Sequence, residues 1–238
     1  MASRLQGATA LAGLVLIWQG SPALATTPQV VEVPAGPAFV QRPGEAQIAA
    51  QEGQSLIPST LLRTSKPGRM QVKLSNGRQF RMGGDAELKL AGTGVELLKG
   101  SIIGWISPAT TNRRPLKIRT RLATASIQGT TVFLELNDDT FRVFSWEGEV
   151  RVRTRDGKDF TLQSGQQLLL NLKPQLDESP GQRDDPDAIA WEPPAPMAST
   201  DVDRRMKGSA LINGFSTPLE TLPTIERELG TSAEPRNR

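Results

Sequence analysis

The sequence predicts an all-β protein: a single antiparallel β-sandwich or jelly-roll-like roll of about a dozen short strands, with flexible Pro-rich flanks. Three observations predict this class. Apolar and polar residues alternate over many short segments, and turn residues recur about every 8–12 positions. Residues 53–172 also contain no stretch with the 3.6-residue period of an amphipathic helix.

The clearest strand signal lies at Val150–Thr154, where apolar or β-branched residues alternate with arginine. Asp156 and Gly157 follow as a typical two-residue hairpin turn, and residues 160–162 begin the return strand. Residues 70–82 repeat this pattern around Asn76 and Gly77. We therefore predict two similar hairpins, which reflect either an internal repeat or a common turn chemistry.

Residues 127–133 place a glycine among β-branched residues. This composition predicts a strand that bulges, or that approaches a neighbouring strand closely, at Gly129. The hydroxyls of Thr130 and Thr131 are candidate ligand contacts. Because threonine is common in strands for conformational reasons alone, we interpret both residues mainly as strand formers.

The N-terminal flank indicates export. An apolar run at residues 8–18 follows Arg4 and precedes Ala23, Leu24 and Ala25, which form a small-residue cleavage site. A membrane anchor is the alternative, but a run of this length is too short to span a bilayer. We predict a signal peptide at residues 1–25, cleavage after Ala25, a periplasmic or secreted location, and no transmembrane segment in the mature chain.

The predicted domain is flanked on both sides by Pro-rich sequence. Residues 26–52 carry four prolines within a short stretch, which predicts an extended lead-in with an edge strand near residues 30–33. Residues 173–238 are Pro-rich and acidic, which predicts a largely disordered tail. Scattered apolar residues between 202 and 230 nevertheless suffice for a strand and a short helix that dock onto another surface.

Charge is distributed unevenly along the chain. Residues 53–173 contain 19 Lys and Arg against 10 Asp and Glu, whereas residues 174–238 contain 7 against 12. Alternate positions on strands place several basic side chains on one face, which suits an anionic partner, although a solvated sheet face explains the same pattern. The candidate residues for such binding are Arg113, Arg114, Lys117, Arg119, Arg121, Arg151 and Arg153.

Several kinds of chemistry find no support in the sequence. Cysteine and histidine are absent, which removes disulfides, thiol nucleophiles and imidazole bases. Asp184, Asp185 and Asp187 lack the glycine and distal glutamate of a calcium loop. We predict no enzyme, no metal and no cofactor. Tyrosine is absent and only two tryptophans lie in the predicted domain, so we predict no nucleic-acid binding.

A series of short motifs carries a family resemblance. In chain order they are Leu62-Arg63-Thr64, Asn76-Gly77, a Leu-x-Gly-Ser-Ile element at 98–102, Arg119-Thr120, an Ile-x-Gly-Thr-x-x-Phe element at 127–133, a Glu-Gly-x-Val element at 147–150, and Gly165-Gln166. Together they resemble the FecR domain, an all-β extracytoplasmic module, over about residues 53–172. The resemblance points to Gly129, Thr130, Phe133 and Gly148 as its motif residues.

The resemblance implies a non-enzymatic binding or signalling module in the bacterial cell envelope. Family members that regulate sigma factors carry a cytoplasmic domain and one transmembrane helix before this module. Here a predicted signal peptide takes that place, so the sigma-factor role is not carried over. We expect the partner to be an envelope protein or an anionic glycan. The alternative function is a structural or assembly component of an envelope export or polysaccharide machine.

Overall fold

The computed structural model describes residues 27–75, 77–92, 94–110, 114–172 and 190–232. Within these residues the chain forms fifteen strands and three helices. The strands are β1 (Gln29–Ala35), β2 (Ala38–Gln41), β3 (Ile48–Ala49), β4 (Leu61–Thr64), β5 (Arg69–Lys73), β6 (Arg78–Ala91), β7 (Gly94–Ile106), β8 (Leu116–Arg119), β9 (Ala123–Ile127), β10 (Thr131–Leu136), β11 (Thr140–Glu147), β12 (Val150–Thr154), β13 (Asp159–Leu162), β14 (Gln166–Asn171) and β15 (Ala195–Pro196). The helices are α1 (Ser199–Gly208), α2 (Ala210–Asn213) and α3 (Leu222–Leu229). The predicted all-β class is confirmed.

Two long strands, β6 and β7, connect the two layers of the fold. The second half of β6 pairs with β4 and with the first half of β7, whereas the first half of β6 pairs with β5 and with the second half of β7. The first layer has the order β3-β2-β4-β6-β7-β8-β9-β12-β13, and the second has the order β1-β5-β6-β7-β10-β11-β14-β15. All pairs are antiparallel except β7 with β8, which departs from the predicted antiparallel sandwich.

The strands bend where they pass between the layers. In β6 the register with β7 shifts between Gly83 and Glu87, and Gly84 and Asp85 adopt positive φ angles of 63° and 58°. Opposite them, Gly100 has a φ of 87°. A Cβ on Gly100 would lie 2.4 Å from the Cα of Ala86, so the two strands approach each other too closely for any larger residue.

The inner faces of both layers enclose the main apolar core. Alternate residues of the long strands, such as Phe80, Met82, Ile102 and Ile106, are fully or almost fully buried there. The alternation follows from the two-residue period of a strand. The predicted hairpins are present: β12 pairs with β13 around Gly157, and β5 pairs with β6 around Gly77. Asn76 lies outside the described residues.

The interpretation of residues 26–52 as a lead-in outside the fold is wrong from residue 27 onward. Strand β1 pairs with β5 at the edge of the second layer, as predicted for an edge strand, while β2 lies between β3 and β4. Val30 and Val40 are completely buried. The prolines do not prevent this pairing because Pro34 lies on an edge strand, at a register shift, and Pro37 and Pro43 flank β2.

The prediction of a largely disordered tail is wrong for residues 190–232, which we call the C-terminal segment. Strand β15 extends the second layer beyond β14, and three helices follow. Helix α3 has Pro223 in its first turn and ends at Gly230 in a left-handed conformation, which are typical start and stop residues. The other residues of the predicted tail, 173–189 and 233–238, lie outside the described residues. No helix of the described chain is long and apolar enough to cross a bilayer.

Candidate functional site

The C-terminal segment covers the outer face of the second layer. That face presents Ile103 and Trp105 from β7, together with Phe144 and Trp146 from β11. The helices and the connection between α2 and α3 contribute apolar residues to the same cluster: Val202, Met206, Leu211, Ile212, Phe215, Leu219 and Ile225. A second apolar core therefore lies outside the sandwich, and it accounts for the scattered apolar residues of the tail.

Arg81 of β6 fastens this segment to the sheet. Its side chain is fully buried, and its Nε donates a hydrogen bond to Oε1 of Gln71 at 2.8 Å. Nη1 donates to the carbonyls of Leu211 and Ile212 at 3.1 and 3.2 Å, at the end of α2. Nη2 donates to the carbonyl of Thr217 at 2.5 Å.

The guanidinium of Arg81 also lies against aromatic rings. Its carbon is 4.2 Å from the ring centroid of Phe215 and 5.6 Å from that of Trp105. The planar cation therefore stacks between the sheet and the C-terminal segment while its edge binds backbone carbonyls. This geometry suits arginine better than lysine, because lysine has neither the planar face nor the fork of donors.

A second polar contact joins α3 to the ends of β10 and β11. The Oγ1 of Thr131 donates to Oε1 of Glu147 at 3.1 Å and lies 2.6 Å from the Oγ1 of Thr221. Glu147 is almost completely buried. Burial, with a smaller effect from Glu228, raises the pKa of Glu147 from 4.5 to about 7, although the hydrogen bond from Thr131 and the charge of Arg227 oppose the shift.

The predicted motif residue Gly148 lies at the same junction. It has a φ of 67°, and a Cβ there would lie 2.5 Å from Cγ2 of Thr130. Its backbone N–H donates to Oγ of Ser164 at 2.7 Å and to Oε2 of Glu228 at 3.0 Å. Ser164 also donates a hydrogen bond to Glu228. Helix α3 is therefore held by the motif itself.

The other motif residues occupy three distinct environments. Gly129 has a φ of 85° and lies in the connection between β9 and β10, so the prediction that it belongs to a strand is wrong. Thr130 is buried, and its Oγ1 has no hydrogen-bond partner among the described residues. Thr131, interpreted as a strand former, uses its hydroxyl to contact α3. Phe133 is half-buried on the outer face, with the guanidinium of Arg205 6.0 Å from its centroid.

A groove of about 930 Å³ lies between the second layer and the helices, and Phe133 is one of the residues that line it. One wall is formed by the bends of β6 and β7, and the opposite wall by the β10–β11 hairpin. The end of α1 and the start of α2 form the third wall. Burial lowers the pKa of Arg205 in this wall, and the charge of Arg142 lowers it further, while Glu135 acts in the opposite direction.

Four of the predicted basic residues form two rows on the outer face of the first layer. Strand pairing aligns Lys117 with Arg151 through Ser126, and Arg119 with Arg153 through Thr124. Since residues in direct register point to the same face, the four charges share one surface, and all four residues are exposed. We call Lys117, Arg119, Arg151 and Arg153 the basic face.

The basic face is only partly neutralised. Arg151 lies 2.9 Å from Glu149 and Arg153 lies 3.6 Å from Asp159, and both arginines remain more than two-thirds exposed. Lys117 and Arg119 form no salt bridge within the described residues. Arg114 and Arg121 are exposed in neighbouring connections, whereas Arg113 and the aspartates at 184, 185 and 187 lie outside the described residues. Within the described part of the chain, no three potential ligands among Asp and Glu lie together as a metal site would require.

Comparison with known proteins identifies one family. Residues 60–151 match the family model described as FecR protein, and this range includes the four motif residues Gly129, Thr130, Phe133 and Gly148. The predicted resemblance is confirmed over this range. A comparison with curated proteins gives no match.

Two crystal structures of a candidate anti-sigma factor from Parabacteroides distasonis ATCC 8503 are also similar to the chain. The first is 16% identical, with a TM-score of 0.43, and the alignment covers 59% of this chain and 61% of the other. The second is 14% identical, with a TM-score of 0.46, and the alignment covers 71% of this chain and 91% of the other. The chain thus spans about three fifths of the first of these structures.

Proposed function

Because residues 60–151 form a FecR domain, we propose that this protein is a non-enzymatic regulatory module of the bacterial cell envelope that binds an anionic glycan. The observation that supports a glycan is the basic face, where strand register holds four cationic side chains in two rows. Two of these cations have no carboxylate partner within the described residues. An extended polyanion can contact both rows at once and so gain from several weak contacts together.

The proposed location in the envelope rests on the signal peptide predicted at residues 1–25. Cleavage after Ala25 would release the FecR domain into the periplasm or the medium, where anionic glycans are abundant. N-terminal sequencing of the protein recovered from these fractions tests this part of the proposal, and Thr26 is the expected first residue.

Affinity chromatography on heparin tests the role of the basic face. We expect the double variant Arg119→Gln, Arg151→Gln to bind heparin about three- to tenfold more weakly at low salt, since each exposed charge contributes modestly. The difference should disappear near 0.5 M salt, at which exposed charges are screened over roughly 4–5 Å.

A matched double variant provides the control. Arg204→Gln, Lys207→Gln removes the same net charge from exposed positions on α1, which lies over the other layer. Equal weakening in both double variants would show that heparin responds only to net charge, and the basic face would then have no specific role. If the Arg119→Gln, Arg151→Gln variant still forms stable complexes with envelope proteins, the protein is better explained as an assembly component.

A further inference from the structure

The groove beneath α1 and α2 has an aromatic floor. Phe133 and Phe144 are directly paired across β10 and β11, and the ring of Trp146 meets that of Phe144 edge to face at 4.8 Å. Phe133 remains partly accessible, although Phe144 and Trp146 are buried. The volume of about 930 Å³ falls within the range of sites that bind small molecules.

Positive charge predominates at the rim of this groove. The carboxylates at the rim are Asp85, Glu135 and Asp138, and the cations are Lys66, Arg69, Lys99, Arg204 and Arg205. Two of the carboxylates already have partners, because Asp85 pairs with Lys66 and Glu135 pairs with Arg142, each at 3.4 Å. Arg69, Lys99 and Arg205 form no salt bridge within the described residues, so the groove carries more cations than carboxylates.

Two hydrogen-bond donors in the lining also lack acceptors. The Nε1 of Trp146 and the Nε of Arg69 are buried, and neither has a hydrogen-bond partner among the described residues. Arg205 lies over Phe133, which places a cation directly beside the apolar floor.

From these observations we propose that the groove binds one small amphiphile, which has an apolar body and a single anionic head such as a carboxylate or phosphate. The body lies on Phe133 and its aromatic neighbours, and the head contacts Arg205 and Lys99. This site is on the second layer, opposite the basic face, and its existence does not depend on the proposed function.

Fluorescence titration of the full chain with two matched probes tests the proposal. The first probe, 1-anilinonaphthalene-8-sulfonate, joins an aromatic body to an anionic head, and N-phenyl-1-naphthylamine has the same rings without the head. We expect saturable binding of one sulfonate probe, at least about tenfold tighter than the neutral probe, because charged groups strengthen hydrogen bonds. Laurate and dodecyl phosphate should both displace it, and the more effective of the two identifies the preferred head.

Three variants locate the site. We expect Lys99→Gln and Arg205→Gln each to weaken binding of the sulfonate probe about three- to tenfold, and to leave binding of the neutral probe unchanged. Lys99 is exposed, so its position tolerates the change. Arg119→Gln on the basic face is the control and should change neither. Equal affinity for the two probes, or equal weakening in the control, would overturn the proposal. Binding that appears only when the near-ultraviolet circular dichroism is lost would also overturn it, because loosened proteins bind such dyes non-specifically.

Discussion

Replacing Arg81 with methionine should release the C-terminal segment from the sheet. The guanidinium donates hydrogen bonds to Gln71 and to the backbone carbonyls of Leu211, Ile212 and Thr217 in that segment. Hydrogen bonds that involve a charged group contribute roughly 1.5–3 kcal/mol each, but they are not additive. Removing the guanidinium also removes its own desolvation cost.

Methionine keeps most of the apolar stem of Arg81, so little cavity forms and the lost hydrogen bonds dominate. We therefore expect docking of the segment to weaken by about 3 kcal/mol, which corresponds to a change of more than a hundredfold in the opening equilibrium. Hydrogen exchange should then show faster exchange for the amides of α1 to α3, while the amides of β10 keep most of their protection.

Arg63→Met is the matched control. Arg63 lies on β4, pairs with Glu87 at 3.1 Å and is partly exposed, so its loss should cost less than about 1 kcal/mol. Exchange in the C-terminal segment should not change in this variant. If Arg81→Met exchanges at the wild-type rate throughout α1 to α3, Arg81 is not the fastening residue and the apolar cluster alone holds the segment.

Two further predictions concern the bend of β7 and the junction at α3. Gly100→Ala should destabilise the fold by about 2–3 kcal/mol in urea denaturation, because it adds a clash with Ala86 to the strain of a positive φ. Gly157 has a similar φ but open space around it, so Gly157→Ala should lower the free energy of unfolding by only about 1 kcal/mol. Equal losses in the two variants would contradict the close approach of Gly100 to Ala86. For Glu147, the folded pKa of about 7 lies above the ordinary value of 4.5, so its stabilising effect is complete below pH 4.5 and is lost as pH rises through 7. Partial screening reduces this contribution to the free energy of unfolding to about 1–2 kcal/mol. Thermal denaturation should therefore show lower stability at pH 8 than at pH 5, and Glu147→Gln should abolish this difference. An unchanged difference in that variant would exclude Glu147 as its source.

The strands and hairpins were predictable because their signals are local. Alternation at β12 and the turn at Gly157 depend only on neighbouring residues, and the structure contains both. The pairing of β2 between β3 and β4 was not predictable, since prolines before and after a strand suggest loop unless the partner strands are known. The parallel pair of β7 with β8 was likewise not predictable, since it joins strands that do not follow each other through a tight turn.

The candidate site was harder to predict because it is formed by residues far apart in the chain. Arg81 reads as an ordinary exposed residue between Phe80 and Met82, and its burial arises only when Phe215 and the end of α2 cover it. The four-residue helix α2 has too few residues for a periodic signal. One signal was available: bulky residues on both faces of β7, with Ile103 and Trp105 alternating with Ile102 and Ile106, indicate a strand that is covered on both sides.

The motif residues within the FecR match at residues 60–151 and the C-terminal segment form one structural unit. Without that segment, Ile103, Trp105, Phe144 and Trp146 would present a contiguous apolar patch to water, and Glu147 would lie at an exposed margin. With it, the patch becomes a core, and α3 supplies polar partners to the motif strands. A partner that used this outer face would first have to displace the C-terminal segment and break the hydrogen bonds of Arg81. In the described part of the chain, the docked segment leaves accessible the two surfaces proposed above for binding: the basic face on the first layer, and the groove on the second.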